Sequence, residues 1–304
     1  MARHVIVGAG PVGSATAARL LELGHEVRMI TRSGSGPSTV ERIAADATDA
    51  GRLAELAAGA EALYNCANPP YHRWPQEWPP LAAALLHAGQ HCGAVLVTMS
   101  NLYGYGRVAG PITEDLPLAA TSEKLRIRAQ MWQRAIAAHE AGRVRVTEAR
   151  GSDYLGPGAK SLFTTLIAPR IARGKPALVP ANLDVPHSLT YTADAGALLA
   201  VLGTDRRALG RAWHVPTAAA VSLREAARRF CAIVDAPPPR LRRMPDALLR
   251  LGGAFDAEAR EFVKVRYQFE APWVLDSAAA QATFGLVPTS LDEALGATAS
   301  VAVR

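Results

Sequence analysis

The sequence lacks the features that mark several large classes of protein. It contains no uninterrupted apolar run of about 18 residues, so a membrane span is excluded. Its three cysteines lie far apart without a Cys-x-x-Cys pair, which argues against a disulfide framework or a zinc site. The first residues lead directly into a short apolar segment and show no signal-peptide pattern. We therefore expect a cytoplasmic protein with no membrane partner and no metal.

Clusters of basic residues are scarce as well, although the formal net charge is +6. Nearly all basic side chains are scattered arginines, with short groups at 126–128 and 240–243. A nucleic-acid-binding protein would be expected to carry a continuous basic stripe with interleaved aromatic residues. We interpret the excess charge as solvated helix faces plus a few anion-binding positions, and we expect no nucleic-acid partner.

What the first 150 residues do contain is a regular alternation of short apolar runs and amphipathic segments. Strands are predicted at 4–7, 26–30, 42–45, 62–66, 94–99 and 144–147. Helices are predicted at 12–23, near 53–58, and at 76–88 and 122–141. This rhythm is typical of βαβ units, and six such strands predict an α/β fold with a Rossmann-type, doubly wound parallel sheet.

Prolines and short elements become common after Pro157. Helices are predicted there at 159–172, 193–202, 222–234 and 276–284. We predict a Rossmann nucleotide-binding domain at 1–156 and a smaller, mainly substrate-binding lobe at 157–304, with segments around 185–216 returning to the Rossmann sheet. The lobe would cover the carboxyl ends of the strands, where open α/β sheets bind ligands.

The strongest motif is V-I-V-G-A-G-P-V-G over residues 5–13. It follows a buried strand and opens a helix, which is the context that a dinucleotide-binding motif requires. Gly8 permits the tight turn, Gly10 lets the backbone approach a pyrophosphate, and Gly13 lets the helix pack closely on the strand. Pro11 and Val12 begin that helix, whose positive amino terminus would face the phosphates.

The end of the second predicted strand indicates which dinucleotide is bound. NAD enzymes place an acid about 20 residues past the glycines to bind the ribose 2′-hydroxyl, but residues 29–34 read M-I-T-R-S-G. Arg32 can pair with a 2′-phosphate, and Thr31 and Ser33 can donate hydrogen bonds to it. The sequence therefore predicts NADP(H) over NAD(H), unless Arg32 is merely a solvated loop residue. Further cofactor contacts are predicted after the next strands, at Asp46, Ala47, Cys66, Ala67, Asn68 and Thr98.

Four later segments carry a family resemblance. They read V-T-M-S-N-L-Y-G at 97–104, R-G-S-D-Y-L-G-P-G at 150–158, Y-T-A-D at 191–194 and F-G-L-V-P at 284–288. With the glycine motif, they resemble the extended or atypical branch of the short-chain dehydrogenase/reductase superfamily, of the NAD(P)-dependent epimerase/dehydratase type, over essentially the whole chain. Helix 122–141 is one through which related folds dimerise, so a homodimer is a further expectation by analogy.

One family feature is missing, because no Tyr-x-x-x-Lys motif opens the helix after the fifth strand. Residues 120–128 read A-T-S-E-K-L-R-I-R, which places Lys124 where the resemblance implies the acid/base tyrosine and Arg128 where it implies the ribose-binding lysine. Arg128 can still hold ribose hydroxyls, but it cannot donate a proton.

Three interpretations of this substitution remain open. In the first, Ser100 or Thr98 bonds the substrate carbonyl, and the proton comes from Lys124 or a nearby tyrosine. The candidate tyrosines are Tyr103, Tyr105 and Tyr154. In the second, the proton comes from water and the protein mainly orients the reactants. In the third, the protein binds NADP(H) and senses it without turnover.

Aromatic side chains after the fourth and fifth strands indicate the kind of substrate. An apolar or aromatic cavity is expected, with substrate contacts at Tyr71, Trp74, Tyr105 and Tyr154. The sequence thus predicts an NADP(H)-dependent carbonyl reductase or alcohol dehydrogenase acting on a small, largely apolar organic molecule. The alternatives are a redox-neutral epimerase or dehydratase with a tightly held cofactor, and a non-catalytic sensor.

Overall fold

A central parallel sheet organises the computed structural model, which describes residues 1–249 and 257–302. The strands in chain order are β1 (Arg3–Val7), β2 (Glu26–Thr31), β3 (Glu41–Ala44), β4 (Ala62–Asn65), β5 (Val95–Asn101), β6 (Val146–Gly151), β7 (Asp153–Leu155), β8 (Ala177–Val179), β9 (Pro186–His187), β10 (Leu189–Tyr191), β11 (Ala212–His214), β12 (Val221–Ser222) and β13 (Leu241–Arg243). Seven of them form the sheet in the order β3-β2-β1-β4-β5-β6-β11, all parallel. The predicted doubly wound Rossmann fold is confirmed.

Helices cover both faces of this sheet, and further helices lie in the second half of the chain. They are α1 (Pro11–Glu22), α2 (Ala50–Leu56), α3 (Trp74–Cys92), α4 (Glu123–Glu140), α5 (Ala168–Ile171), α6 (Thr192–Thr204), α7 (Leu223–Ile233), α8 (Ala257–Val265), α9 (Ala278–Phe284) and α10 (Leu291–Ala302). Local signals set their ends: the Ser122 hydroxyl accepts a hydrogen bond from the Leu125 amide at the start of α4, and α3 ends at Gly93 with φ +69°. No helix in the described ranges is long and apolar enough to cross a membrane.

The two faces of the sheet carry separate apolar layers, because successive residues of a strand point to opposite sides. Ile6, Met29 and Val97 pack towards α1 and α6, whereas Val5, Leu63 and Leu96 pack towards α2, α3 and α4. α1 and α6 approach closely at Gly196, where an added Cβ would lie 2.6 Å from the Ala15 carbonyl carbon.

The sixth strand differs from its prediction, beginning at Val146 rather than at 144 and running on to Gly151. Because Glu148 and Arg150 are charged, the second half of this strand does not form an apolar run in the sequence. Both side chains are buried, and they form an ion pair of 2.7 Å within the strand. A buried strand can therefore contain charges when they neutralise each other.

The second half of the chain packs around its own apolar cluster, which includes Leu155, Phe163, Ile167, Phe230 and Leu295. The helix predicted at 159–172 is broken into a π-helical turn at Phe163–Ile167 followed by α5. Helices α8 and α10 were not predicted. α6 and β11, within the segment around 185–216, pack on and pair with the Rossmann sheet.

Candidate functional site

A cavity of about 680 Å³ lies at the carboxyl ends of β1, β2, β4 and β5. This edge is where an open parallel sheet binds its ligands. The cavity runs from the glycine motif at one end, here called the nucleotide end, to Ser100, Arg128 and Tyr154 at the other, here called the reaction end. The predicted site residues that line it are Gly8, Gly10, Pro11, Val12, Thr31, Arg32, Asp46, Ala47, Cys66, Ala67, Asn68, Ser100, Arg128 and Tyr154.

Glycine suits each of the three motif positions for a different structural reason. Gly8 has φ +104°, and an added Cβ would lie 2.7 Å from the Ala67 amide nitrogen. An added Cβ at Gly13 would overlap the Gly8 carbonyl oxygen, so this residue serves packing and does not line the cavity. A Cβ on Gly10 would meet nothing within 4 Å, so the backbone there faces open space.

The start of α1 suits an anion. Gly10 is the N-cap residue and offers no side-chain hydrogen bond to the first amides of the helix. These N–H groups have no partner within the helix and carry the positive end of its dipole. Open space beside Gly10 and uncapped amides together fit the pyrophosphate of a dinucleotide.

Arg32 and Asp46 stand at the far side of the nucleotide end. A hydrogen bond of 2.9 Å from the Thr48 amide to the Asp46 carboxylate lowers the pKa of Asp46, and the nearby positive charge of Arg32 lowers it slightly further. The Thr31 hydroxyl donates to the Ser35 carbonyl oxygen at 3.1 Å. Ser33 follows Arg32 but does not itself line the cavity.

Arg128 forms one wall of the reaction end. Its Nη2 donates a hydrogen bond of 2.6 Å to the Met99 carbonyl oxygen, and its guanidinium lies 4.4 Å from the centre of the Trp78 ring. Burial lowers the pKa of Arg128, although the Glu148 carboxylate opposes this shift. Its Nε is buried without a hydrogen-bond partner among the described residues, which leaves a donor at the cavity wall.

Tyr154 lies beside Ser100 at the same end. Its hydroxyl donates to the Ser100 carbonyl oxygen at 3.5 Å, which is a weak hydrogen bond. Burial raises the pKa of Tyr154, while the positive charge of Arg128 acts in the opposite direction. The hydroxyl is therefore protonated at neutral pH and stands where it can donate to a ligand.

Several predicted residues lie away from this cavity. Lys124 does not line it, because its Nζ forms an ion pair of 2.7 Å with Glu261 of α8. Tyr103 also lies outside the lining and packs against Tyr71, with 5.9 Å between the ring centres. Both predicted proton donors therefore lie outside the wall of this cavity.

Three of the four predicted aromatic substrate contacts also lie away from the cavity, and the polar atoms of two of them are bonded elsewhere. Trp74 is buried, and its Nε1 donates to the Pro69 carbonyl oxygen at 3.1 Å, which holds the loop before α3. The Tyr105 hydroxyl contacts His214 Nε2 at 2.8 Å and accepts a hydrogen bond of 2.7 Å from Arg150. Tyr71, Trp74 and Tyr105 do not line the cavity, whereas Tyr154 does.

Thr98 lies in a second, smaller cavity of about 180 Å³ between α3 and α4. Thr98 pairs with Asn65 on β4 and Glu148 on β6, and all three line this space. Because Thr98 and Ser100 are two residues apart, they share a face of the sheet but occupy different cavities. The predicted cofactor contact at Thr98 is not where the structure places this side chain.

Sequence reasoning missed part of the lining. Lys160 and Thr192 reach the cavity from the second half of the chain, and Gln76 and Asn101 from the first. Lys160 could have been found, because it ends the G-P-G-A-K segment that follows the family-like motif at 150–158. In the ranges that the structure describes, no group of His, Cys, Asp or Glu side chains is arranged to hold a metal ion.

One known protein family matches most of this chain. The model of the NAD dependent epimerase/dehydratase family matches residues 4–215. The chain belongs to this family. A search of curated proteins finds no match.

Solved structures of epimerases and dehydratases are similar over almost the whole chain. MoeE5 in complex with UDP-glucuronic acid and NAD has a TM-score of 0.80 and 19% identity, covering 99% of both chains. The UDP-glucose 4-epimerase of Thermus thermophilus with NAD has a TM-score of 0.77 and 16% identity, again covering 99% of both. The dTDP-glucose 4,6-dehydratase of Bacillus anthracis with NAD has a TM-score of 0.77 and 14% identity, covering 99% of this chain and 96% of that one. At these identities the similarity establishes the fold.

Proposed function

We propose that the protein binds a nicotinamide dinucleotide in the large cavity and catalyses a redox-neutral epimerisation or dehydration of a small, hydroxyl-bearing organic molecule. Family membership supports this type of reaction over simple carbonyl reduction. The observation that carries the proposal is the continuity of the cavity, which joins the open backbone at Gly10 to the hydroxyls of Ser100 and Tyr154.

The cofactor we propose is NADP(H), with Arg32 as the residue that selects it. Arg32 lines the cavity, and the end of β2 carries no acid that would repel a 2′-phosphate. The similar structures named above hold NAD, so the preference of this chain has to be measured rather than transferred.

The reaction end offers groups that act on a substrate oxygen. When bound, the nicotinamide supplies the acceptor and donor of hydride. Tyr154 donates a proton to an oxygen that becomes a hydroxyl, Ser100 bonds the same oxygen, and Arg128 stabilises negative charge on it. Oxidation of a hydroxyl needs the reverse transfer; the positive charge of Arg128 favours it, although burial still leaves the pKa of Tyr154 raised.

Carbonyl reduction is the second candidate, because burial keeps Tyr154 protonated and a protonated phenol assists reduction directly. The experiment that separates the two supplies the purified protein with NADP+, NAD+, NADPH or NADH and a panel of hydroxy and oxo compounds, including UDP-glucose and UDP-glucuronic acid. Hydroxy compounds are tested with the oxidised cofactors and oxo compounds with the reduced ones. Product formation without net change in cofactor absorbance is expected. Net consumption of NADPH would replace the first candidate with the second, and no binding of either cofactor would overturn both.

A further inference from the structure

A second group of polar side chains lies beside the reaction end, and the proposed chemistry does not use it. Tyr71, Tyr103 and Tyr267, here called the tyrosine cluster, pack together where α4 begins and α8 ends. Tyr71 and Tyr103 meet edge to face. Their apolar surroundings are Ala120, Leu125, Phe262 and Val265. Three phenol groups thus share one mainly apolar compartment.

Polar atoms in this compartment are left without good partners. The hydroxyls of Tyr71 and Tyr267 and the Nε2 of Gln268 are buried, and none makes a hydrogen bond of acceptable geometry within the described residues. Burial without a partner destabilises a protein, so such groups are rare and are normally satisfied by an ordered water or a ligand. Three of them close together, all able to donate, indicate a ligand rich in acceptor oxygens.

Lys124 supplies a positive charge to the same compartment. It is 6% exposed, and its Nζ lies 5.0 Å from the centre of the Tyr71 ring and 2.7 Å from Glu261 Oε2. Glu261 is the single carboxylate paired with Lys124 among the described residues, whereas Glu261 also accepts from Lys264 at 3.1 Å. Glu261 can therefore leave Lys124 and keep a partner.

Charges around the cluster favour an anion. The Arg107 guanidinium lies 4.9 Å from the centre of the Tyr267 ring. The other nearby carboxylate, Asp153, is already in contact with His187 Nε2 at 2.6 Å. With Glu261 displaced, Lys124 and Arg107 would face the ligand without an opposing free carboxylate.

The compartment adjoins the reaction end. Lys124 precedes Arg128 by one turn of α4, so the two lie on one helix face about 6 Å apart along the axis. Tyr103 follows the cavity residue Asn101, and Tyr71 follows the cavity residue Pro69 after one intervening position. Tyr103 and Tyr154 are near enough for one to raise the pKa of the other.

We propose that Lys124 and the tyrosine cluster bind a carboxylate group of the substrate, and that Glu261 occupies the position which this carboxylate takes. The inference rests on the proposed function, because it places the reacting oxygen at Ser100 and Tyr154. The substrate class is then a cyclic or aromatic hydroxy acid or oxo acid, with its carboxylate about one helical turn away from the reacting oxygen. Binding exchanges one carboxylate for another at Lys124 and forms no covalent bond.

The test measures binding of 4-oxocyclohexanecarboxylate and of its methyl ester by calorimetry, with and without NADP+, which cannot reduce the ketone. We expect the acid to bind at least about tenfold more tightly than the ester, because an ion pair with a buried lysine is lost in the ester. Lys124→Met should abolish this difference. Glu261→Gln should tighten acid binding at least about threefold, because less of the protein is held with the lysine occupied. Lys175→Met, at an exposed lysine outside the site, is the matched control.

Equal binding of acid and ester, no measurable binding of the acid, or discrimination that survives in Lys124→Met would each overturn the inference. Because Lys124→Met leaves Glu261 buried beside an apolar chain and can impair folding, Tyr267→Phe serves as a second variant that removes one hydroxyl. This variant should weaken binding of the acid more than binding of the ester. Equal effects on the binding of both would also overturn the inference. Loss of cofactor binding by the unaltered protein would instead defeat the proposed function, so the two failures are distinguishable.

Discussion

The two ends of the large cavity are built in different ways. The nucleotide end comes from short, continuous segments: residues 5–13 supply the turn and helix start, and Arg32 follows β2 directly. The reaction end combines β5, α4 and β7, and the neighbouring Lys124–Glu261 pair joins α4 to α8. A site made of local segments is fixed by backbone geometry, whereas one assembled from distant segments depends on which side chains meet.

This difference predicts that a substitution at Gly10 can abolish cofactor binding and leave the stability of the fold unchanged. Its φ of −70° and ψ of 179° suit any residue, and an added Cβ meets nothing within 4 Å. We expect Gly10→Val to fold with nearly unchanged melting temperature and to lose measurable cofactor binding, because the side chain fills the space beside the backbone amides. Fluorescence titration with NADPH and thermal unfolding check this, with Gly51→Ala as the control. Retained binding would remove the anion-site argument.

The reaction end gives the next largest effect. We expect Tyr154→Phe to lower kcat about 100-fold, because general-acid catalysis contributes roughly this much, while the cofactor Kd changes less than about twofold. The measurements are steady-state kinetics on a substrate from the panel and NADPH titration. Tyr191→Phe, a partly exposed tyrosine of β10, is the control. Undiminished turnover would support the interpretation in which the proton comes from water.

A charge reversal at the nucleotide end tests the cofactor preference. We expect Arg32→Glu to change the ratio of NADPH to NADH affinities by about 10- to 100-fold towards NADH, the range for a charge-assisted hydrogen bond. Binding of NADH itself should change little, since it has no 2′-phosphate. Arg52→Glu on α2 is the control for net charge. A constant ratio would mean that Arg32 is a solvated loop residue.

Sequence reasoning succeeded where the signal is local. The sheet and the glycine turn could be predicted because apolar runs, motif spacing and helix starts are all short-range patterns. The second half of β6 is not predicted by an apolar pattern because it contains Glu148 and Arg150, which neutralise each other inside the strand. Lys124 could not be placed correctly, because its partner Glu261 lies on a helix that no sequence pattern predicted.

Aromatic residues show the same limit. Trp74 and Tyr105 were interpreted as substrate contacts from their positions after strands, but their polar atoms bond to Pro69 and to His214 and Arg150. Position along a strand predicts which edge of the sheet a residue occupies. Which polar partner satisfies it is decided by segments far away in the chain.

Lys160 lies in the second half of the chain yet lines the large cavity. Gly158, two residues earlier, lies beside Pro11 of the glycine motif. The side chain of Lys160 is exposed, so screening by solvent limits its interaction with a phosphate. We expect Lys160→Ala to weaken NADPH binding by no more than about fivefold, equivalent to an exposed ion pair of up to about 1 kcal/mol, and the loss should shrink as salt is raised. Titration at two ionic strengths, with Lys175→Ala as control, measures it. A much larger, salt-independent loss would show that the second half of the chain builds the nucleotide end as much as the glycine motif does.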